Sequence, residues 1–436
     1  MSPPVDAVAD SPVFPDHADV VVVGGGIVGV STAYYLAKRG RSVCLLEKGR
    51  VAGEQSSRNW GYVRQQGRDE REIPLARESL RLWRELQGEL DDDPGFRPTG
   101  VLYATRDPRK IEQWSRWVKM AERHGLDSRL LDARQTQALA MDCTIPWIGG
   151  LYTASDGRAE PSMAAPAIAR AARKAGVSVH QNCAVRGIET SSGRVSSVLT
   201  ERGEIRTNTV VCAAGAWSSM FCRRHGVDFP QLTSCGSVLR TEPVEAMLDG
   251  AISSEIFAMR RRVDGAYTIA HSYWLTYFLE PAWFRYFTRF VPMYLENRKY
   301  LKLRINRMFF TQLCWPSRWA FDRPTPFEAV RILDPKPDAA ELRRGLEAVR
   351  KAYPGLANVK MAYAWAGIIE ATPDSIPVIS PVGKLPGFYL ASGFSGHGFG
   401  LGPAAGHLMA DLVNGDAPLV DPRPFSYSRL AAPDVH

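Results

Sequence analysis

Asp19-Val20-Val21-Val22-Val23-Gly24-Gly25-Gly26-Ile27-Val28-Gly29 opens a stretch that closes, eighteen residues after Gly29, on Leu45-Leu46-Glu47. Four consecutive valines suit a strand buried on both faces of a parallel sheet. Gly24 makes the tight turn out of that strand. Gly26 lets a pyrophosphate approach the backbone, and Gly29 lets the following helix pack on the strand. Residues 27–39 read as that helix, with Gly40 closing it at the C′ position. Its first turn, at Ile27 and Val28, offers free N–H groups and the positive end of the helix dipole to an anion. Residues 42–46 form a second apolar strand, and Glu47 sits where a carboxylate would hold a ribose 2′-hydroxyl. The glycine pattern alone marks only a tight turn. The strand before it, the helix after it and the acid beyond make it a dinucleotide site. A free 2′-hydroxyl means FAD or NAD rather than NADP, and this stretch does not choose between them.

Working outward, 436 residues with 45% hydrophobic and 23% charged side chains suggest a soluble chain of two domains. The seven cysteines are scattered without a CxxC pair, which argues against a zinc site or redox dithiol and favours a reducing, cytoplasmic compartment. Residues 1–17 lack an apolar leader core and read as a disordered tail. Residues 20–37 are long enough to raise a transmembrane question, but three consecutive glycines fit strand, turn and helix better. The net charge of +8 is partly local. Eight basic residues lie between Arg285 and Arg318 against one acid, Glu296. A solvated surface, the inner face of a membrane, an acidic partner subunit and an acidic substrate all fit this excess. No nucleic-acid motif accompanies it.

Residues 70–90 read as a helix interrupted early by Pro74, 100–105 as a strand, and 110–124 as a helix with Trp114 and Trp117 on one side. A helix over 162–175 lies between Pro161 and Gly176. Short strands follow, turned at Ser192-Gly193 and Arg202-Gly203. Residues 209–212 form an apolar strand running into Ala213-Ala214-Gly215. Beyond residue 240 aromatics crowd together at Tyr273, Trp274, Tyr277, Phe278, Trp283, Phe284, Tyr286 and Phe287. This stretch reads as the core of a covering domain, or as an interfacial helix or subunit-docking surface over 283–318. Residues 339–351 are helical; strands, a glycine-rich loop over 393–402 and a helix over 403–413 follow. The expected fold is α/β. A Rossmann-type domain with a parallel sheet is assembled from 18–95, 150–235 and 360–436. A discontinuous α+β substrate domain on an antiparallel sheet takes 96–149 and 236–359.

Four segments together resemble the D-amino-acid oxidase superfamily of flavoproteins, which includes sarcosine and glycine oxidases. They are the glycine unit with Glu47-Lys48, the run Ser56-Ser57-Arg58-Asn59-Trp60-Gly61-Tyr62-Val63-Arg64, and Val210-Val211-Cys212-Ala213-Ala214-Gly215-Ala216-Trp217. The fourth pairs Thr372-Pro373-Asp374 with Gly393-Phe394-Ser395-Gly396-His397-Gly398. This last is the most specific, because other flavoproteins share the first motif but not the ending. The resemblance covers nearly the whole chain and implies FAD. It implies cofactor contacts at Lys48, Ser56, Ser57, Arg58, Asn59, Val185, Ala214, Gly215, Trp217, Gly393, Ser395, Gly396, His397 and Gly398. A glycine loop opening a helix can present N–H groups to the negative charge of a reduced flavin. The implied reaction oxidises an amine at the carbon bearing nitrogen. Hydride passes to the flavin, an imine results, and oxygen or a redox partner then takes the electrons.

Three departures from that pattern shape the expected site. Ile369 stands where glycine-oxidase-like members have an arginine for the substrate carboxylate. Gly367 stands where monomeric sarcosine oxidase carries its flavin on a cysteine, so the FAD is expected to be non-covalent. Gly400 stands where that enzyme has a lysine. The expected substrate contacts are therefore Arg64 for a carboxylate and Glu370 for an amine, with His397 beside them. The texture around Glu370 and His397 is similar to the hydroxyproline- and opine-oxidising branch, so a secondary or D-amino acid is the expected substrate. An FAD-carrying subunit of a larger complex and a non-catalytic FAD-binding module are the alternatives.

Overall fold

Val20 and Val22 are buried in one core and Val21 and Val23 in another, so both faces of this strand are covered. A computed structural model describes residues 2–272, 275–297, 301–316 and 318–430. The readings at Tyr273, Trp274, Arg298 and Lys299 lie outside the described residues. Val20–Val23 pairs in parallel with Val43–Leu46 on one side and Val210–Cys212 on the other. Ser178–His180 and Phe388–Ser392 extend the sheet in parallel, and antiparallel Val378–Pro381 closes it at six strands. The helix Ile27–Lys38 crosses from the first strand to the second. It packs against the helix Gly398–Asn414. A Cβ on Gly402 would lie 2.6 Å from Ile27, and one on Gly406 2.4 Å from Ser31. These glycines are what let the two backbones close over the sheet.

The second layer is a ten-stranded, mostly antiparallel sheet. Its centre is the long strand Leu232–Thr241, paired along its length with Met361–Ala371. The expected α/β and α+β halves are thus both present, but three boundaries move. Gly149–Thr153 hydrogen-bonds to Val101–Thr105 and Ser128–Asp132 in the large sheet. Leu232–Thr241 and Met361–Ala371 also belong there rather than to the dinucleotide layer. The last strand was misplaced because Trp365, Ala366 and Ile368 read equally well as an apolar strand of either sheet. What decides is the partner strand, which is not written locally.

Residues 2–17 are a further correction. Expected as a disordered tail, they run along the edge of the parallel sheet. Asp6 N donates to Ser162 O and Ser11 N to Val179 O. Val8 is buried, and Phe14 packs on His180 with ring centroids 5.0 Å apart. Backbone hydrogen bonding, absent from any composition count, holds this segment.

The aromatic stretch divides by face. In the helix Pro281–Asn297, Trp283, Tyr286 and Phe290 are buried with Tyr277 and Leu232. Phe284 (71% exposed) and Phe287 (50%) point outward. Residues three and four apart share one side of a helix, so this one is both a core element and a surface.

Candidate functional site

The turn from Val23 into Ile27 borders the cavity of interest. Gly24 has φ +110°, and a Cβ there would meet Ala213 O at 2.4 Å. A Cβ on Gly29 would lie 1.9 Å from Gly24 O, which leaves room for glycine alone. Only Ser56 Oγ, at 3.1 Å, would touch a Cβ on Gly26, so its outer side faces open space. Gly25 N donates to Glu47 Oε2 and Gly49 N to Glu47 Oε1, both at 2.7 Å. Burial pushes the Glu47 carboxyl above its usual range, opposed by Lys48 and these two N–H groups. The acid at the end of the second strand is therefore fixed in orientation while still facing the cavity.

Of the residues expected at the cofactor, Gly24, Gly26, Ile27, Val28, Glu47, Lys48, Ser56, Asn59, Val185, Ala214, Gly215, Trp217, Gly396 and Gly398 line one continuous cavity. Ile368 and Glu370 line it as well. This cleft runs from the acid that would hold a ribose to the glycine loop. A narrow, mostly apolar slot with a helix N-terminus at its middle fits a dinucleotide carrying a planar ring system.

Other expected contacts sit elsewhere. Arg58 is fully buried, and its guanidinium bonds to Asp334 Oδ1 (2.7 Å), Ala366 O (2.8 Å) and Ser2 Oγ (2.8 Å). It ties three segments together beneath the cavity rather than lining it. Ser57 bonds to Glu54 O at 3.2 Å. Ser395, at φ +52°, bonds to Gly393 O at 3.2 Å, and a Cβ on Gly393 would clash with Thr372 at 2.4 Å. These two residues shape the loop. Gly29 serves the helix–strand contact.

The three expected reacting residues fall in different surroundings. Glu370 is buried in the cavity wall, where desolvation pushes its carboxyl up to about 7 against backbone N–H groups, including that of Phe394, that favour the anion. His397 turns out of the cavity. Its Nδ1 pairs with Glu72 Oε2 at 2.9 Å, and burial, then the Arg68 charge, lower it to about 4. Arg64 also lies off the cavity lining. It donates to Gln66 O and rests 5.5 Å from the Tyr103 ring. Its backbone, with that of Tyr62 and Val63, packs under Gly400 at the start of the glycine-loop helix.

Two members of this buried group, Arg68 and Glu72, were not anticipated. Arg68 is buried with Nη1 lacking a partner, and desolvation, then the Arg64 charge, lower its pKa to about 9. The signal available was their four-residue spacing just before the helix Ile73–Glu89, which is uninformative without knowledge of what packs there. Gln55, Phe327 and Ile368 also line the cavity and carry no motif.

Comparison with known proteins bears on the fold and the cofactor. The family model described as FAD dependent oxidoreductase (DAO) matches residues 19–412. Sarcosine oxidase subunit beta of Arthrobacter sp. is 26% identical over 94% of this chain and 91% of its own length. L-Amino acid deaminase from Proteus myxofaciens, solved in complex with anthranilate, is 30% identical with a TM-score of 0.95, covering 99% of this chain and 97% of that one. The Proteus vulgaris L-amino acid deaminase is 29% identical with a TM-score of 0.92, over 96% and 99% of the two chains. Its form with the specific insertion sequence deleted reaches 0.78 at 27% identity, over 96% of each chain.

Proposed function

This chain belongs to the FAD-dependent oxidoreductase (DAO) family, and on that premise we propose that it oxidises an L-α-amino acid, with Glu370 taking the proton of the substrate ammonium. It is an FAD-dependent enzyme of amine or amino-acid oxidation. The observation that carries the finer reading is the buried carboxyl of Glu370, at about 7, in the wall of the cofactor cavity. An amino acid arrives as its ammonium form, which cannot release hydride from the adjacent carbon. A carboxyl near 7 is half ionised at neutral pH and suited to accept that proton. Bound FAD supplies the two-electron acceptor. What remains is an imine, which water hydrolyses to a keto acid and ammonia. Gly24, Gly26 and the first turn at Ile27 and Val28 would hold the pyrophosphate, and Glu47 the ribose. Gly367 leaves the FAD without a covalent anchor. With Ile369 apolar, a substrate carboxylate falls to Arg64, which would swing from Gln66 O to meet it. The L configuration is favoured by likeness along the whole chain to the Proteus deaminases.

Anaerobic titration of the yellow enzyme with L- and D-amino acids and with sarcosine tests this. Flavin bleaching is expected with an L-amino acid. Bleaching by sarcosine or a D-amino acid alone would favour the secondary- or D-amino-acid reading, and none by any amine would sink the assignment.

The outward face of the aromatic segment supports a second proposal, contact with an anionic membrane surface. Phe284, Phe287, Ile305, Phe310 and Leu313 are at least half exposed. Arg285, Arg304, Arg307 and Arg318 are exposed in the same segment. Aromatic and aliphatic side chains interleaved with arginine suit a headgroup boundary. No helix among the described residues is long and apolar enough to span a bilayer, so the contact would be peripheral. Co-sedimentation with phosphatidylglycerol vesicles, lost in Phe284→Ser/Phe310→Ser, is the expected result. A stable complex with another protein and no vesicle binding would assign the surface to a partner subunit instead.

A further inference from the structure

A second cavity, of about 400 Å³, adjoins the cofactor cavity and shares Ala216, Trp217 and Ile368 with it. Its own walls are largely apolar, with Met220, Phe278, Met308 and Leu333 among them. Trp315 stacks on Trp217 at 5.6 Å with 28° between the rings, so an aromatic surface reaches from one cavity into the other. The roof is made by the start of the helix Pro281–Asn297 and by Arg307–Leu313, the elements whose outer faces carry the exposed aromatics. The volume lies in the range of sites for small organic molecules.

Most polar groups in this cavity are already bonded to protein. Gln231 is held between Ser219 N and Gly215 O. Thr233 Oγ1 donates to Glu280 Oε1 at 2.5 Å, and desolvation raises the Glu280 carboxyl. Arg223 is the exception. Its Nε is buried without a hydrogen-bond partner, while burial and then the Arg285 charge disfavour its cationic form. Arg223 lines the chamber, and with its Nε sealed inside the protein its terminal guanidinium nitrogens are the donors an acceptor atom on a ligand would meet.

We propose that this cavity binds the electron acceptor, and that the acceptor is a neutral quinone with one carbonyl oxygen against Arg223 and its ring among Met308, Leu333 and Trp315. The inference rests on the oxidoreductase reading above and supplies its second half-reaction. Bound FAD, once reduced, would supply two electrons and two protons, and these convert the two quinone carbonyls to hydroxyls. Negative charge grows on the quinone oxygens as electrons arrive, and a guanidinium beside one of them stabilises it. A fully charged or strongly polar oxidant would gain little from these walls, whereas an apolar quinone could enter through the roof from a lipid surface.

The test uses the FAD-loaded full chain and duroquinone. Calorimetry on the oxidised enzyme reads binding without turnover. Stopped-flow mixing after dithionite reduction reads reoxidation without any amino acid, so a failure of the substrate assignment leaves this test intact. Saturable binding, with a reoxidation rate that saturates at the same concentration, is expected. Arg223→Leu should weaken binding and slow reoxidation by duroquinone at least tenfold. Met308→Trp, which fills the chamber, should abolish both. Ferricenium, an electron acceptor that needs no chamber, should still reoxidise both variants; FAD content and circular dichroism confirm that they fold. Reoxidation by duroquinone at equal rates in all three proteins would overturn the proposal. So would duroquinone binding that a reducing amino acid displaces competitively, which would make the chamber part of the substrate site.

Discussion

Replacing Glu370 by glutamine should make the protein more stable and a poorer catalyst. Glu370 is buried, and its carboxyl is raised from an ordinary 4.5 to about 7. The folded chain thus holds a proton that the unfolded chain releases between these values. Stability falls as pH rises through that window and then levels off. The difference corresponds to about 3 kcal/mol at pH 8. Glutamine keeps the shape and an acceptor for a backbone N–H but carries no charge, so the variant should escape the loss. For a chain of 436 residues the unfolding entropy makes this worth about 3 °C in Tm. The assay is thermal unfolding of both proteins, saturated with FAD, at pH 4 and pH 8. The Tm values should agree at pH 4, with the variant higher by about 3 °C at pH 8. Stopped-flow flavin reduction by the best amino acid at pH 8 should be at least tenfold slower in the variant. A variant less stable at pH 8, or a gap the same at both pH values, would refute the account of Glu370 as a strained, proton-accepting acid.

Three further outcomes are expected. Gly26→Val should purify colourless while retaining its secondary structure, because the new side chain enters the open side of the turn; absorbance at the flavin band against circular dichroism checks this. Acid precipitation should release all the flavin into the supernatant, since Gly367 offers no attachment, and yellow pellets after washing would contradict it. Glu160→Ala should destabilise by about 3–5 kcal/mol, read by denaturant unfolding, because it strands Arg260 and Arg262, which pair with Glu160 at 2.7 and 3.4 Å in the interior.

The parallel core was legible because its information is local. The valine run, the three spaced glycines and Glu47 each state their own requirement, and the strand Val20–Val23, the helix Ile27–Lys38 and the strand Val43–Leu46 follow. Half of the cavity lining was legible in the same way. What could not be read depends on distant neighbours. Arg58 lies in a family-like run, yet Asp334 and Ala366, remote in sequence, draw its guanidinium away from the cofactor. His397 has glycines on both sides, but only the placement of Glu72 shows that its ring faces outward. The second cavity is built from six separate stretches, and of its lining only Ala216 and Trp217 lie in a motif.

The Arg260–Glu160 pair also bears on how the molecule breathes. Both side chains are 1% exposed. Arg260, on a strand of the large sheet, also donates to Trp60 O at 2.6 Å, next in sequence to Asn59 of the cavity lining. Swinging the two sheets apart would tear this buried ion pair open. A hinge between the sheets is therefore a poor gate for traffic. Entry and exit fall instead to the roof formed by residues 281–297 and 307–313, which rests on the Trp283, Tyr286 and Phe290 cluster and on bonds from Tyr286 and Arg289 to Asp228 and Leu430 O. Turnover by this enzyme should accordingly be sensitive to whatever that roof rests upon.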